Sequence, residues 1–251
     1  MTKIAIVTGA SRGLGRNTAL SIARQGGDVI LTYQTRADEA QTAVAEIKAM
    51  GRKAVAFQLD LSKAAGFAAF AERLRLALRE TWQRETFDHL VNNAGHGIYA
   101  PIAETTEAQF DDLANVHFKG VYFLTQTLLP LIADGGRIVN LSSGLTRTCF
   151  TGYAAYAAVK GAVEVLTRYM AKELGGRGIA VNTVAPGAIE TDFGGGAVRD
   201  NPDINKLFAE MTALGRAGLP DDIGPMIARL LSDDNRWVNA QRIEVSGGQG
   251  I

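Results

Sequence analysis

The chain has 251 residues, 47% of them hydrophobic, with 26 Lys plus Arg balanced by 26 Asp plus Glu. That length allows one large α/β domain with a full core, and the zero net charge excludes the basic field that attracts nucleic acid. A lone cysteine, Cys149, and three histidines exclude a disulfide framework and a zinc cluster, and no apolar run is long enough to span a membrane. The opening stretch is too short and too soon glycine-bearing for a secretion signal, so a cytoplasmic setting and no metal site are expected.

Lys3 to Thr8 is a short run rich in Ile and Val, the pattern of a buried parallel strand. It leads into Gly9-Ala10-Ser11-Arg12-Gly13-Leu14-Gly15 and then a helical stretch through Ala19, Ile22 and Ala23. Strand, glycine-rich turn and helix together aim backbone N–H groups and a helix N-terminus at a phosphate. Far downstream, Val159, Val163, Leu166, Met170 and Leu174 form a helical stripe, on which Tyr156 and Lys160 share a face one turn apart. A phenol titrates near ~10, and a neighbouring ammonium lowers that value. Lowering it by ~2–3 units takes roughly 3–4 kcal/mol, which one exposed Lys cannot supply but a Lys with a cofactor's positive ring in a dry cleft can.

The spacing Gly-x-x-x-Gly-x-Gly, preceded by Thr8 and followed by Tyr156-x-x-x-Lys160, resembles the short-chain dehydrogenase/reductase family from Lys3 to about Gly248. The resemblance implies one Rossmann-type domain over residues 1–251, an α/β doubly wound fold with a seven-stranded parallel sheet flanked by helices. It also implies that Gly9, Ser11, Arg12, Gly13, Leu14 and Gly15 hold a dinucleotide.

The second strand is expected from Asp28 to Tyr33. Tyr33 stands where many NAD-preferring members carry an acidic residue, and Arg12 resembles the basic residue that meets the 2′-phosphate. NADP(H) is therefore expected in preference to NAD(H), although Gln34, followed by Thr35 and Arg36, replaces a second Arg. A helix over 37–50 and a strand over 53–59 lead to Asp60 and Leu61, which contact the adenine by resemblance. Residues 66–86 are expected to form a helix that ends in a surface loop over 79–86.

The fourth strand exits through Asn92-Asn93-Ala94-Gly95, and Asn93, Ala94 and Gly95 resemble the motif beside the cofactor's adenosine. His96 is expected to be pocket wall, and His89 and His117 to be structural. A single helix is expected over 107–132. Asn115 on it matches the family's Asn that holds a water near the Lys, counted back 28 residues from Ser143. Strand five covers 136–141, and Ser143, thirteen residues before Tyr156, is chosen over Ser142 as the family's serine. Strand six covers 178–184, and by resemblance Pro186, Gly187, Ile189 and Thr191 face the nicotinamide carboxamide. The glycines at 194–196 suit a hinge for a lid over 197–214. A last helix begins at 215–220, and a seventh strand covers 241–245.

In the reductive direction Tyr156 is expected to donate a proton, Ser143 to polarise the carbonyl, Lys160 to bind the nicotinamide ribose and tune the Tyr, and Asn115 to support a water. The substrate is expected to be a small carbonyl or secondary alcohol, with 3-oxoacyl thioesters as the first class to test. Leu145, Phe150, Tyr153, His96 and Phe193 suggest a partly apolar pocket. A non-catalytic dinucleotide-binding regulator is the alternative, disfavoured because all four catalytic-type residues are present, and a sugar epimerase lacks its larger second domain here. Excess apolar surface on the helices after Tyr156 and around Phe118, together with the resemblance, implies a homotetramer, with no nucleic-acid or membrane partner expected.

Overall fold

The computed structural model describes residues 2–251. Strands β1 (Ile4–Val7), β2 (Asp28–Tyr33), β3 (Ala54–Gln58), β4 (Phe87–Asn92), β5 (Ile132–Leu141), β6 (Ala180–Pro186) and β7 (Arg242–Val245) form one parallel sheet in the order β3-β2-β1-β4-β5-β6-β7. Parallel neighbours need a crossover between them. These are built on α1 (Gly13–Arg24), α2 (Ala37–Ala49), α3 (Phe67–Ala77), α4 (Glu107–Ala114), α5 (Gly120–Leu128), α6 (Ala154–Leu174), α7 (Ala197–Asp200), α8 (Pro202–Glu210) and α9 (Pro220–Leu230). The expected doubly wound α/β fold is therefore observed.

Both faces of the sheet are covered, which is why β1 reads as an unbroken apolar run rather than an alternating one. Ala5 and Val7 point to one core, with Ala19 and Leu20 of α1, Val44 of α2 and Ile223 and Ile227 of α9. Ile4 and Ile6 point to the other, with Phe67 and Leu74 of α3 and Leu124 and Leu128 of α5. Each large side chain buried this way contributes about 1.5–3 kcal/mol.

The structure departs from the expected elements in two places. The single helix over 107–132 is interrupted. Between α4 and α5 lies a π turn, Asn115–Lys119, and the chain is already in β5 at Ile132. Thr106 and Gln109 form a capping box that fixes where α4 starts. Residues 79–86 are not a plain surface loop either: α3 continues into a π turn, Leu78–Trp82, and stops at Gln83, whose φ is 52°. Trp82 Nε1 donates to Asp28 Oδ2 at 2.9 Å, and the same carboxylate accepts from Arg52 Nε at 3.0 Å and Lys53 N at 2.9 Å. Asp28 is buried, and burying a carboxylate is costly unless such partners hydrogen-bond it.

Strand order reverses direction about β1, so the loops leaving β1 and β4 separate there and open a crevice at the carboxyl edge, where ligands bind in open α/β sheets.

His89 on β4 is buried, and desolvation pushes its pKa down to about 4. The unfolded chain binds this proton below about 6.5 and the folded chain does not, so the contribution is present above that pH and is lost as pH falls toward 4. Urea-unfolding midpoints should therefore drop across this window, and His89→Gln should flatten the drop.

Candidate active site

The crevice is a cleft of about 730 Å³. Every candidate site residue named from the sequence lines it except Asn115.

At one end β1 delivers the glycine-rich turn. Gly9 adopts φ 63°, a left-handed conformation open to glycine, and a Cβ on Gly15 would collide with the Gly9 carbonyl and the Asn93 side chain. Thr8 ties this turn to the exit of β4. Its Oγ1 accepts from the backbone N–H groups of Asn93 and Ala94, each at 3.0 Å, and Asn93 Nδ2 donates to the Thr8 carbonyl at 2.9 Å. Arg12 occupies the N-cap of α1 without a side-chain cap, leaving the first N–H groups of the helix for an anion. Arg12 NH1 is paired with Asp192 Oδ2 at 2.9 Å, and Asp192 also pairs with Arg199. Tyr33, Gln34, Thr35 and Arg36 line the cleft beyond β2, and Asp60 shapes the next loop by accepting from Ser62 N at 3.0 Å and Ser62 Oγ at 2.7 Å.

These features fit a dinucleotide. The close-packed glycine turn lets backbone approach a pyrophosphate, the uncapped helix terminus and Arg12 favour negative charge, and Arg36 adds a second cation.

At the other end Tyr156 and Lys160 stand on the first turns of α6, both buried. Lys160 Nζ donates to the Leu141 carbonyl at 2.7 Å and lies 5.7 Å from the centre of the Tyr156 ring. Burial pushes Lys160 down to about 7 and Tyr156 above its usual value, with the Ser143 side chain pulling the phenol part of the way back. The expected lowering of Tyr156 by Lys160 is thus not seen in the chain alone. Desolvation penalises phenolate and ammonium alike, and only a carbonyl dipole compensates the latter.

Ser142 and Ser143 separate as neighbours on a strand must. Ser142 Oγ donates to Glu164 Oε1 at 2.6 Å, whereas Ser143 Oγ accepts from Leu145 N at 3.2 Å and caps the turn at the cleft floor. Arg242 braces that turn, with Nε on Glu164 Oε1 at 2.8 Å and NH2 on the Ser143 carbonyl at 3.3 Å.

Asn115 is not brought into the cleft. Its carbonyl accepts the Gly120 N–H that closes the π turn, and two residues further on, roughly the opposite side of the helix, His117 faces inward. The His117 ring meets the Tyr156 ring edge-on, 5.2 Å between centroids, and a Cβ on Gly95 would strike that imidazole. The count from Ser143 leads to Asn115, whereas the residues of this turn that line the cleft are Val116 and His117. Nothing in local periodicity announces a π turn.

Phe193, 5.4 Å from Tyr156 between ring centroids, Phe150, Tyr153 and Leu145 complete the walls. Tyr99 packs on Tyr153 at 5.6 Å, and Phe208 of α8 packs on Phe150 at 5.4 Å, so α7 and α8 cover this end of the cleft. Gly194, Gly195 and Gly196 before them all have positive φ. Gln249, which the sequence did not single out, reaches back so that its Oε1 accepts from Ala188 N at 2.7 Å and holds the segment that carries Ile189 and Thr191. Its sequence partner is too distant to be read locally.

Residues 9–249 match the family model described as enoyl-(acyl carrier protein) reductase. The tetrahydroxynaphthalene reductase PfmaG of Pestalotiopsis fici is 35% identical over 257 residues, spanning 98% of this chain and 91% of that protein. The hydroxynaphthalene reductase-like protein Arp2 of Metarhizium brunneum is 35% identical over 261 residues, 98% and 94% of the two. Among solved structures, LugOII, a promiscuous reductase that catalyses keto-reduction at C1 during lugdunomycin biosynthesis, superimposes with TM-score 0.94 at 37% identity over 99% of this chain and 98% of that one. The angucycline C-6 ketoreductase LanV with bound NADP follows with TM-score 0.93 at 35% identity over 98% and 95%. The chain belongs to the short-chain dehydrogenase/reductase family. It is an oxidoreductase of that family.

Tyr156→Phe keeps the ring packed against His117 and Phe193 while removing the hydroxyl. Its kcat in steady-state carbonyl reduction should fall by at least ~10²-fold, with cofactor affinity nearly unchanged. Tyr153→Phe, at the outer wall, should act through KM if at all.

Proposed function

We propose that the chain, acting as a single domain, reduces the carbonyl of a flat aromatic-ring ketone with NADPH, ahead of a 3-oxoacyl thioester. The observation that carries this is the aromatic surrounding of the Tyr156 ring. Phe193 and His117 lie within 5.4 Å and 5.2 Å of Tyr156 between centroids, with Phe150 and Tyr153 beyond. Rings bury large, rigid area and stack on other rings, whereas an acyl thioester asks for a narrow channel. PfmaG is a tetrahydroxynaphthalene reductase, LugOII catalyses keto-reduction at C1 during lugdunomycin biosynthesis and LanV is an angucycline C-6 ketoreductase, which supports a ring ketone as the substrate class.

When bound, NADPH supplies the hydride. Gly9 to Gly15, Asp60, Asn93, Ala94, Gly95 and Thr191 would hold it along the cleft, and Lys160 would take its nicotinamide ribose. Ser143 hydrogen-bonds the substrate oxygen and steadies the charge that develops there. Tyr156 gives that oxygen its proton, and its high pKa in the dry cleft keeps it protonated and ready to donate. Aromatic walls exclude water from the reacting atoms. A regulator without turnover has no use for a buried Tyr, Ser and Lys gathered at one point, and finds no support here.

Phe110, Phe118, Tyr122, Phe123 and Tyr169 stand exposed on and around α4, α5 and α6. This supports assembly into a homotetramer through these helices. Light scattering at micromolar concentration tests it, and a stable monomer would refute it. A cytoplasmic location is proposed because a single cysteine fits a reducing compartment; among the described residues no helix is long and apolar enough to cross a membrane.

An assay of NADPH oxidation should show tetralones and hydroxynaphthalenones turned over with higher kcat/KM than acetoacetyl thioesters. The reverse order would remove the aromatic-ketone reading. Two arginines support the cofactor choice. A charge-assisted bond to the 2′-phosphate is worth roughly ten- to a hundredfold in affinity. Arg36 lines the cleft beyond β2 and among the described residues pairs only with its exposed neighbour Glu39, whereas Arg12 is shared with Asp192. NADPH should therefore exceed NADH by about tenfold or more in kcat/KM. Arg36→Ala should erase more of that margin than Arg12→Ala, with NADH rates changing far less. Equal kcat/KM for both cofactors in the wild type would show that the phosphate is not read.

A further inference from the structure

Gln249 lines the cleft and is only 9% exposed, yet among the described residues only one end of its side-chain amide is engaged. Past β7 the chain reverses at Gly247 and Gly248, whose φ values of 65° and 78° favour glycine. The reversal is then pinned. Gln249 N donates to Ser246 Oγ at 3.2 Å, Gly250 N donates to the Met211 carbonyl at 2.9 Å, and Thr212 and Gln249 form an antiparallel bridge. Gln249 is thereby held between the end of α8 and the segment after β6. Ala188 N donates to its Oε1 at 2.7 Å, and a backbone N–H can only donate, so the amide oxygen faces Ala188 and Nε2 faces away. Nε2 carries two N–H groups and has no acceptor among the described residues, and it is not one of the unpartnered side-chain atoms sealed from water. Folded proteins rarely leave a buried polar group half matched, and here the open half belongs to the wall of a ligand cleft.

Gly187 fixes where this amide stands relative to the chemistry. A Cβ on Gly187 would lie 2.7 Å from Gln249 Oε1, and a Cβ on Gly144, the residue after Ser143, would lie 3.8 Å from Gly187 Cα. The Gln249 amide and the serine turn therefore sit against the same short stretch of backbone. Phe150 and Phe208, packed on each other, line the cleft as well.

We propose that Gln249 is a specificity-determining residue: its Nε2 donates a hydrogen bond to a second oxygen of the substrate while Ser143 and Tyr156 hold the carbonyl being reduced. This rests on the ring-ketone reading and narrows it to ring ketones that carry another acceptor oxygen, keto, ether or phenolic, on the same fused frame. An amide NH2 only donates, so a substituent with a lone pair is matched and an apolar one leaves the N–H groups unpaired. Such a mismatch costs about tenfold in affinity. Both partners are rigid. Oε1 cannot leave Ala188 without orphaning that N–H, and a fused-ring ketone loses little freedom on binding, so the donor selects where on the frame the second oxygen stands.

Steady-state reduction of α-tetralone and of its ring-methoxy derivatives, whose added oxygen accepts but cannot donate, tests this. In the wild type, kcat/KM for at least one methoxy isomer should exceed that of the parent by about tenfold. Gln249→Glu keeps an oxygen for Ala188 N but puts an acceptor where Nε2 stood, and Gln249→Met removes both ends. Both variants should lose the preference, bringing the ratio to about unity or below. If the amide only holds the Ala188 segment, the Glu variant should keep the wild-type ratio and the Met variant should lower all the ketones together. The NADPH dissociation constant, read by cofactor fluorescence, separates substrate from cofactor as the partner of Nε2. A Glu variant with weakened NADPH binding and equal losses on every ketone overturns the assignment, as does a folded Glu variant that keeps the wild-type ratio. Thermal melts report folding, and the wild type alone is decisive where a variant fails to fold: no preference for any methoxy isomer overturns the assignment. A wild type that reduces none of the tetralones defeats the ring-ketone reading itself, whereas one that reduces them all with equal kcat/KM defeats only the role of Gln249.

Discussion

Much of the active end is organised by one costly burial, that of the Lys160 ammonium. It sits almost out of solvent on α6, and its one hydrogen bond to the described residues goes to the carbonyl that ends β5. A charge so placed is penalised heavily unless something compensates it. The bond to Leu141 therefore clamps the start of α6 against the end of β5. It sets Tyr156 one turn before Lys160 and Ser143 two residues past Leu141 in the same crevice. The same dryness that weakens Lys160 as a cation keeps Tyr156 protonated, which is the state a proton donor needs.

Around this clamp the supporting polar groups are drawn from distant parts of the chain. Glu164, one turn beyond Lys160, gathers Ser142, Thr146 and Arg242, so the serine turn is held from beneath by β7 as well as by α6. Thr8 does the same for the nucleotide end by accepting two N–H groups from the exit of β4. The two halves of the cleft are thus each fastened by one side-chain oxygen that accepts more than one donor. Such networks hold a single geometry because a displaced member would leave its partners unpaired in a low-dielectric setting.

The cover over the cleft is built differently. Its approach is three glycines in left-handed conformations, and its ties to the body include the exposed pairs of Asp192 with Arg12 and Arg199, a bond from Asn205 Nδ2 to Glu190 Oε1 at 2.6 Å, and ring contacts from Phe193 and Phe208. Exposed ion pairs contribute little, so aromatic packing and the half-buried Asn205 bond carry more of its anchoring. Those rings also shape the pocket, which links how the cover closes to which ketones fit.

The fold was legible from the residues because its signals are local. Apolar runs such as Ile4–Val7, the glycine turn after Thr8, and the stripe through Val159 and Leu166 each sit within one element, and periods of 2 and 3.6 residues separate strand from helix. The spacing of Tyr156 and Lys160 likewise survives folding, because an unbroken helix carries it. Tertiary structure alone decided what depends on a break in that regularity or on a far partner. The π turn at Asn115–Lys119 rotates the chain so that His117 faces the phenol and Asn115 does not. Trp82 finds Asp28, 54 residues away, and Arg12 finds Asp192, 180 residues away. The titration of Tyr156 and Lys160 follows from how deeply the assembled chain buries them, and desolvation is a property of the whole fold that no stretch of sequence carries by itself.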